Sequence, residues 1–327
     1  MGALPCVHNT HGWRGFSLKG DNWQVFFPLT SRMSTTSLDR RGLAAAVFAY
    51  AVWGVFPLYW ALLKDVPPAQ VIAHRVVWCM ALVAVWLWLV EGRGWLSRAL
   101  SGKRVLPMLA ASSLVISINW GLYVWAVTNG HVLDASLGYF INPLANVLAG
   151  VLFLREKLTR PQWIAVALAA LGVLWLTFMH GKLPWIALVL AGTFCIYGLI
   201  RKVAAVEAVP GLALESLILL LPALAWLFWC ESQGAGAFGH GGTSRNVLLI
   251  VGGALTALPL IGFAFGARRL PYSTIGLIQF IAPTLQMFCA LAMGERFSLE
   301  QFAGYALIWI GLAVYILDIW NRSRRNA

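Results

Sequence analysis

Two ionisable residues of opposite sign sit inside apolar runs of this sequence: Arg75, beside His74 in "AHRVVW", and Glu215 in "LALESLILL". A charge at membrane depth is costly and is a functional hypothesis by default. Histidine has the ordinary pKa nearest neutrality, so His74 with Arg75 could carry a proton or meet a charged solute. Glu215 holds the corresponding depth in another run, near the end expected on the cytoplasmic side. The bland alternative is that Arg75 snorkels to the nearer interface.

The remaining candidates are neutral. Tyr139, Asn142 and Asn146 recur at i, i+3 and i+7, which is one helical face. Gln279 and Gln286 are seven apart; Asn119 and Tyr123 are four apart with Trp120 beside them. Such groups can bind a polar solute, or tie helices together at about 0.6 kcal/mol each. With Tyr50, Trp53 and Tyr197 as walls they describe a neutral, aromatic site. Pro143 directly follows Asn142, and Pro283 lies four residues after Gln279. A proline frees a carbonyl one turn earlier, and matching interruptions in two inverted halves mark a central solute site. The expectation is a cavity at the two prolines, with Asn142 and Gln279 touching the solute. Asp134 reads as a rim residue, Asp318 as a headgroup contact, and Gly262 with Gly266 as a close helix crossing.

Those side chains need elements to hold them. The chain is 60% apolar and only 11% charged, far below the roughly 25% charge of soluble domains, so its surface must face lipid. Ten apolar runs of membrane length lie near 42–63, 70–90, 105–127, 132–154, 161–179, 183–200, 212–230, 246–267, 270–293 and 301–317. None alternates as a barrel strand does, so the fold class is all-α integral membrane. With the amino terminus inside, the basic residues fall on the cytoplasmic side except for Lys64, Lys182, Arg245 and Arg296, and Arg75 within a span. Both termini are therefore expected in the cytoplasm.

"LREKLTRPQW" (154–163) is echoed by "MGERFSLEQF" (293–302), which keeps the acid and the glutamine but sheds most of the positive charge. An odd number of spans per repeat inverts the second copy and puts this loop outside. "ASLGYFINP" matches "STIGLIQFIAP", and Gly172 matches Gly311, at nearly the same offset. The expected division is a polar leader 1–37, five-helix repeats over 38–181 and 182–321, and a basic tail 322–327. The leader lacks the pattern of a signal peptide; translation is expected to start at Met33, with a disordered cytosolic tail as the alternative.

Five cysteines without a CxxC, and histidines without HExxH, give no metal site or disulfide framework. No phosphate-binding glycine loop is present, so neither nucleotide nor other cofactor is expected, and the scattered basic residues form no nucleic-acid patch. The expected partners are the bilayer and a small-molecule solute.

Along "YVWAVTNGHVLDASLGYFINPLANVLAGVLFLREKL", "AHRVVW", "TALPLIGFAFGARRLPYSTIGLIQFIAPT" and "GERF", the chain resembles the RarD-type members of the EamA branch of the drug/metabolite transporter superfamily. The resemblance covers about residues 38–321. It implies two inverted repeats, alternating access, an inner-membrane location in a bacterium, and export of small polar or amphipathic molecules. The family pattern often has Glu where this chain has Asp134 and Tyr where it has Phe280, so a titrating role for Asp134 does not carry over. The rivals are a lipid-linked carrier or flippase, which would want several cations in the cavity, a membrane-embedded enzyme, which would want clustered acids and histidines, and a channel, which would want a repeated filter ring.

Overall fold

A computed structural model of the chain describes residues 39–129, 131–180, 184–292 and 299–325. The leader with Met33, the loop residues Lys182 and Arg296, the repeated motif at 293–298 and the side chain of Asp134 lie outside the described residues. Every element among those described is helical.

Each expected run contains one helix or one broken pair. Run 1 is α1 (Arg40–Gly54) and α2 (Phe56–Leu62); α3 (Pro68–Val90), the short α4 (Trp95–Ala99), α5 (Val105–Thr128), α6 (Val132–Leu152) and α7 (Arg160–His180) follow. Then come α8 (Trp185–Val203), α9 (Ala208–Ser232), α10 (Gly242–Arg269), the pair α11 (Tyr272–Gln279) and α12 (Ile281–Ala292), and α13 (Leu299–Arg325). Seven windows, α1 with α2 counting as one, are long and apolar enough to cross a bilayer; Leu137–Leu152 and Phe302–Asp318 are apolar but shorter. Phe178 is 78% exposed and Phe228 71% exposed, surfaces that only lipid can cover at low cost.

The structure departs from the sequence pattern at two breaks. The two prolines do not interrupt their helices alike: α6 runs unbroken through Pro143, whereas the second helix breaks at Phe280, ahead of Pro283. An additional break at Val55 precedes Pro57, a residue suited to a helix's first turn. The expected tail 322–327 begins inside α13, which continues to Arg325.

Close crossings form where small residues let backbones meet. A Cβ at Gly266 would lie 3.0 Å from the Gly42 carbonyl oxygen, so the Gly262/Gly266 pair does seat α10 on α1. A Cβ at Gly276 would lie 2.5 Å from the Pro143 carbonyl oxygen, locking α11 against α6. Helix α7 packs on α13, α8 on both α5 and α6, α10 on both α1 and α3, and α9 on both α3 and α5.

Polar ties gather at the two ends. At one end, Asp39 caps α1 by accepting from the Arg41 and Gly42 N–H groups at 2.9 and 3.0 Å, and it pairs with Arg269 at 3.6 Å. The Gly42 N–H holds the Asp39 carboxyl below its ordinary value, so its contribution is present above pH ~4 and is lost as pH falls through the lowered pKa. At the same end, Glu156 of the LREKL motif accepts from the N–H groups of Tyr272 and Ser273 at 2.5 and 2.9 Å and from the Ser273 hydroxyl at 2.6 Å. A remote carboxylate thereby caps α11. Asp318, expected at the headgroups, accepts from Thr159 at 3.2 Å. At the other end, Gln70 donates to Ala235 at 2.7 Å and accepts from the Ala237 N–H at 2.9 Å, tying α3 to the α9–α10 connection.

Candidate functional site

The chemistry gathers where α3, α5, α8, α9 and α10 meet. Short connection 204–207 folds the last turn of α8 back onto the first turns of α9, which brings Arg201 to Glu215. Both are buried, at 2% and 3% exposure, with Arg201 Nε 3.7 Å from the Glu215 Oε1. The glutamate also accepts from the Ser112 hydroxyl at 2.5 Å and from the Tyr197 hydroxyl at 3.3 Å. Arg201 Nη2 donates to the Ala208 carbonyl at 2.9 Å, while its Nε and Nη1 lack a hydrogen bond. Gly211 makes room for this guanidinium, since a Cβ there would collide with Nη1.

Glu215 and Tyr197 face a small cavity of about 20 Å³, lined also by Cys79, Trp120, Ser216 and Thr256. One water needs roughly 10–15 Å³ of such space, so this cavity has room for about one water. With Glu215 on its wall, the cavity is not made of neutral groups alone, and it does not lie at Pro143 and Pro283.

Arg75 stands beside it. Its Nε donates to Thr256 Oγ1 at 2.7 Å, and its guanidinium lies 5.5, 5.5 and 5.6 Å from the ring centres of Phe56, Trp60 and Trp120. Tyr123 and Tyr139, 6.2 Å apart by ring centre and packed edge to face, are close enough to feel its charge. His74 does not join Arg75: its ring packs 5.5 Å from Phe238, in the α9–α10 connection.

The amides fall elsewhere. Asn146 donates to Gln279 Oε1 at 2.6 Å, and the Tyr50 hydroxyl donates to the same atom at 3.4 Å, which joins α6, α11 and α1. Asn142 is buried with its Oδ1 unpartnered. Asn119 donates to the Leu190 carbonyl and Thr193 hydroxyl, both at 2.8 Å, and Gln286 to the Trp53 carbonyl at 3.3 Å; these bonds tie helix to helix. Tyr50, Trp53 and Tyr197 do share one aromatic cluster, centred on the fully buried Phe263 and completed by Phe194. Of the residues expected at the site, the cavity thus collects Trp120, Tyr197 and Glu215, with Arg75, Tyr123 and Tyr139 adjoining.

Arg201, Ser112, Thr256 and Phe263 were not picked out from the sequence. Arg201 carried a signal, an opposite charge to Glu215 across a short helix–helix connection, yet it read as a cytoplasmic loop charge.

A helical bundle with seven windows of membrane-spanning length and large exposed apolar side chains is that of a multi-pass membrane protein. Residues 40–178 match the EamA-like transporter family. An uncharacterized transporter of Pseudomonas aeruginosa is 44% identical over 90% of this chain and 98% of its own, and Protein RarD of Streptomyces exfoliatus is 42% identical over 90% and 94%. A solved structure described as "Crystal structure of protein" superposes with a TM-score of 0.68 at 18% identity, covering 87% of this chain and 99% of that one, a likeness of fold alone. The chain belongs to the EamA-like transporter family as a RarD-type member, and is a membrane transporter of the drug/metabolite transporter superfamily.

Proposed function

We propose that the chain is a secondary transporter of the bacterial inner membrane that exports small polar or amphipathic solutes by alternating access. Ten spans form two inverted five-helix repeats, 38–181 and 182–321, with both termini cytoplasmic. Pairing α1/α2, α3, α5, α6 and α7 with α8, α9, α10, α11/α12 and α13 turns the packing pattern into itself: α1 on α10 becomes α8 on α5, and α3 on α10 becomes α9 on α5. The observation that carries the reading is the place of the cavity. It lies between α3 with α5 and their exchange partners α9 with α10, where rocking of one half on the other would open it to either side. The end that gathers Arg40, Arg41, Arg155, Lys157, Arg268 and Arg269 faces the cytoplasm in this reading.

Purified protein in proteoliposomes, given a metabolite panel and an imposed pH gradient, is expected to show saturable counterflow of at least one solute. Flux equal to empty liposomes for every solute in both gradient directions would overturn the proposal.

A further inference from the structure

Arg75 differs from the four basic residues near the α8–α9 and α10–α11 connections, each of which reaches a carboxylate or a backbone carbonyl. Arg201 meets Glu215, Lys202 donates to the carbonyls of Ala267 and Leu270, Arg268 donates to the Val206 carbonyl, and Arg269 meets Asp39. Arg75 has no carboxylate partner among the described residues. Its Nε is used by Thr256, while its two terminal nitrogens have no hydrogen-bond acceptor among the described residues. A guanidinium at this depth without a counter-charge is costly, and its planar fork fits a carboxylate with two parallel bonds.

We propose that Arg75 is the docking point for the anionic group of the transported solute, and that the solute class is an organic carboxylate with an aromatic or other flat apolar body. The proposal rests on the transport reading above and names the cargo of that site. Three observations carry it. The rings of Phe56, Trp60 and Trp120 stabilise the cation by cation–π attraction without supplying an anionic acceptor, so a ligand carboxylate would be its first counter-charge among the described residues. The same rings, with Tyr123 and Tyr139, offer an apolar body a surface to stack on. Thr256 and Trp120 also line the cavity that ends at Glu215, so the cage and the cavity adjoin. The surrounding groups come from α2, α5, α6 and α10, which makes a solute, not a lipid headgroup, the fitting occupant.

The full chain in phosphatidylcholine nanodiscs is tested for equilibrium binding of radiolabelled 3-phenylpropionate, with 3-phenylpropionamide and 3-phenylpropylammonium as competitors. Saturable binding is expected, with the amide and the ammonium competing at least about tenfold more weakly than the unlabelled acid, the size of one lost charge-assisted contact. Arg75→Gln should weaken binding by a similar factor, and Arg75→Lys should keep part of it. If Arg75→Gln does not fold, the acid–amide comparison in the parent together with Arg75→Lys decides. No saturable binding, equal competition by the amide, or parent-like affinity in Arg75→Gln overturns the proposal. Nanodiscs containing phosphatidylglycerol distinguish the lipid source: if that lipid abolishes 3-phenylpropionate binding and is itself retained only when Arg75 is present, the site belongs to a headgroup and the proposal falls. Because no translocation is read, binding without counterflow in liposomes removes the transport reading alone. Counterflow without anion-selective binding removes this site alone.

Discussion

Glu215→Leu should destabilise the folded bundle by about 3–5 kcal/mol, because it leaves the Arg201 guanidinium buried without its counter-charge. The side chain that remains could not escape to water: it is 2% exposed, and Gly211 fits against it. The measurement is the unfolding midpoint in detergent for single and double variants. Arg201→Met combined with Glu215→Leu should recover most of the lost stability, since two apolar groups of similar volume need no pairing. Transport should not recover with it if the pair belongs to the moving machinery. A single Glu215→Leu variant as stable as the parent would show that water already reaches the guanidinium.

Phe263→Ala is the second large effect, expected to cost about 3–5 kcal/mol as a buried aromatic truncation. Phe263 is fully buried, and its ring lies between 5.6 and 6.2 Å from those of Tyr50, Trp53, Phe194 and Tyr197. Lipid tails gain nothing by filling the void, so the loss is one of packing against four rings from α1 and α8. Phe263→Leu keeps most of the volume and should cost less than half as much on the same midpoint measurement, within the roughly 1.5 kcal/mol typical of volume-conserving changes. Equal losses for the two variants would mean that ring geometry, not volume, holds the cluster.

The apolar runs were legible because run length and hydropathy are set by the bilayer, and each run does contain a helix or a broken pair. The breaks were less so. Pro143 and Pro283 look alike in sequence, but α6 runs through Pro143 with Gly276 of α11 close against it, while the second helix breaks at Phe280; that close approach is a tertiary contact that no local pattern encodes. The stripe Tyr139–Asn142–Asn146 was readable from helical spacing. Which amide meets Gln279 depends on the α6–α11 crossing, and it is Asn146 that does so. Arg201 was misread because counting charges near a helix end cannot say whether the side chain turns inward. Glu215 was found because an acid inside an apolar run is conspicuous by itself.

Alternating access through the cavity beside Glu215 is most directly tested by thiol labelling of Cys79, which lies on that cavity's wall, 3.6 Å from the Ser216 hydroxyl. In protein whose other cysteines are replaced by serine or alanine, a membrane-impermeant maleimide is applied to right-side-out and to inverted vesicles. Lys64→Cys and Lys157→Cys serve as markers of the two faces. Labelling of Cys79 from each face in turn, with Lys157→Cys reached only from the cytoplasmic side and Lys64→Cys only from the other, is the result predicted. Labelling of Cys79 from one face only, or from neither, would contradict it.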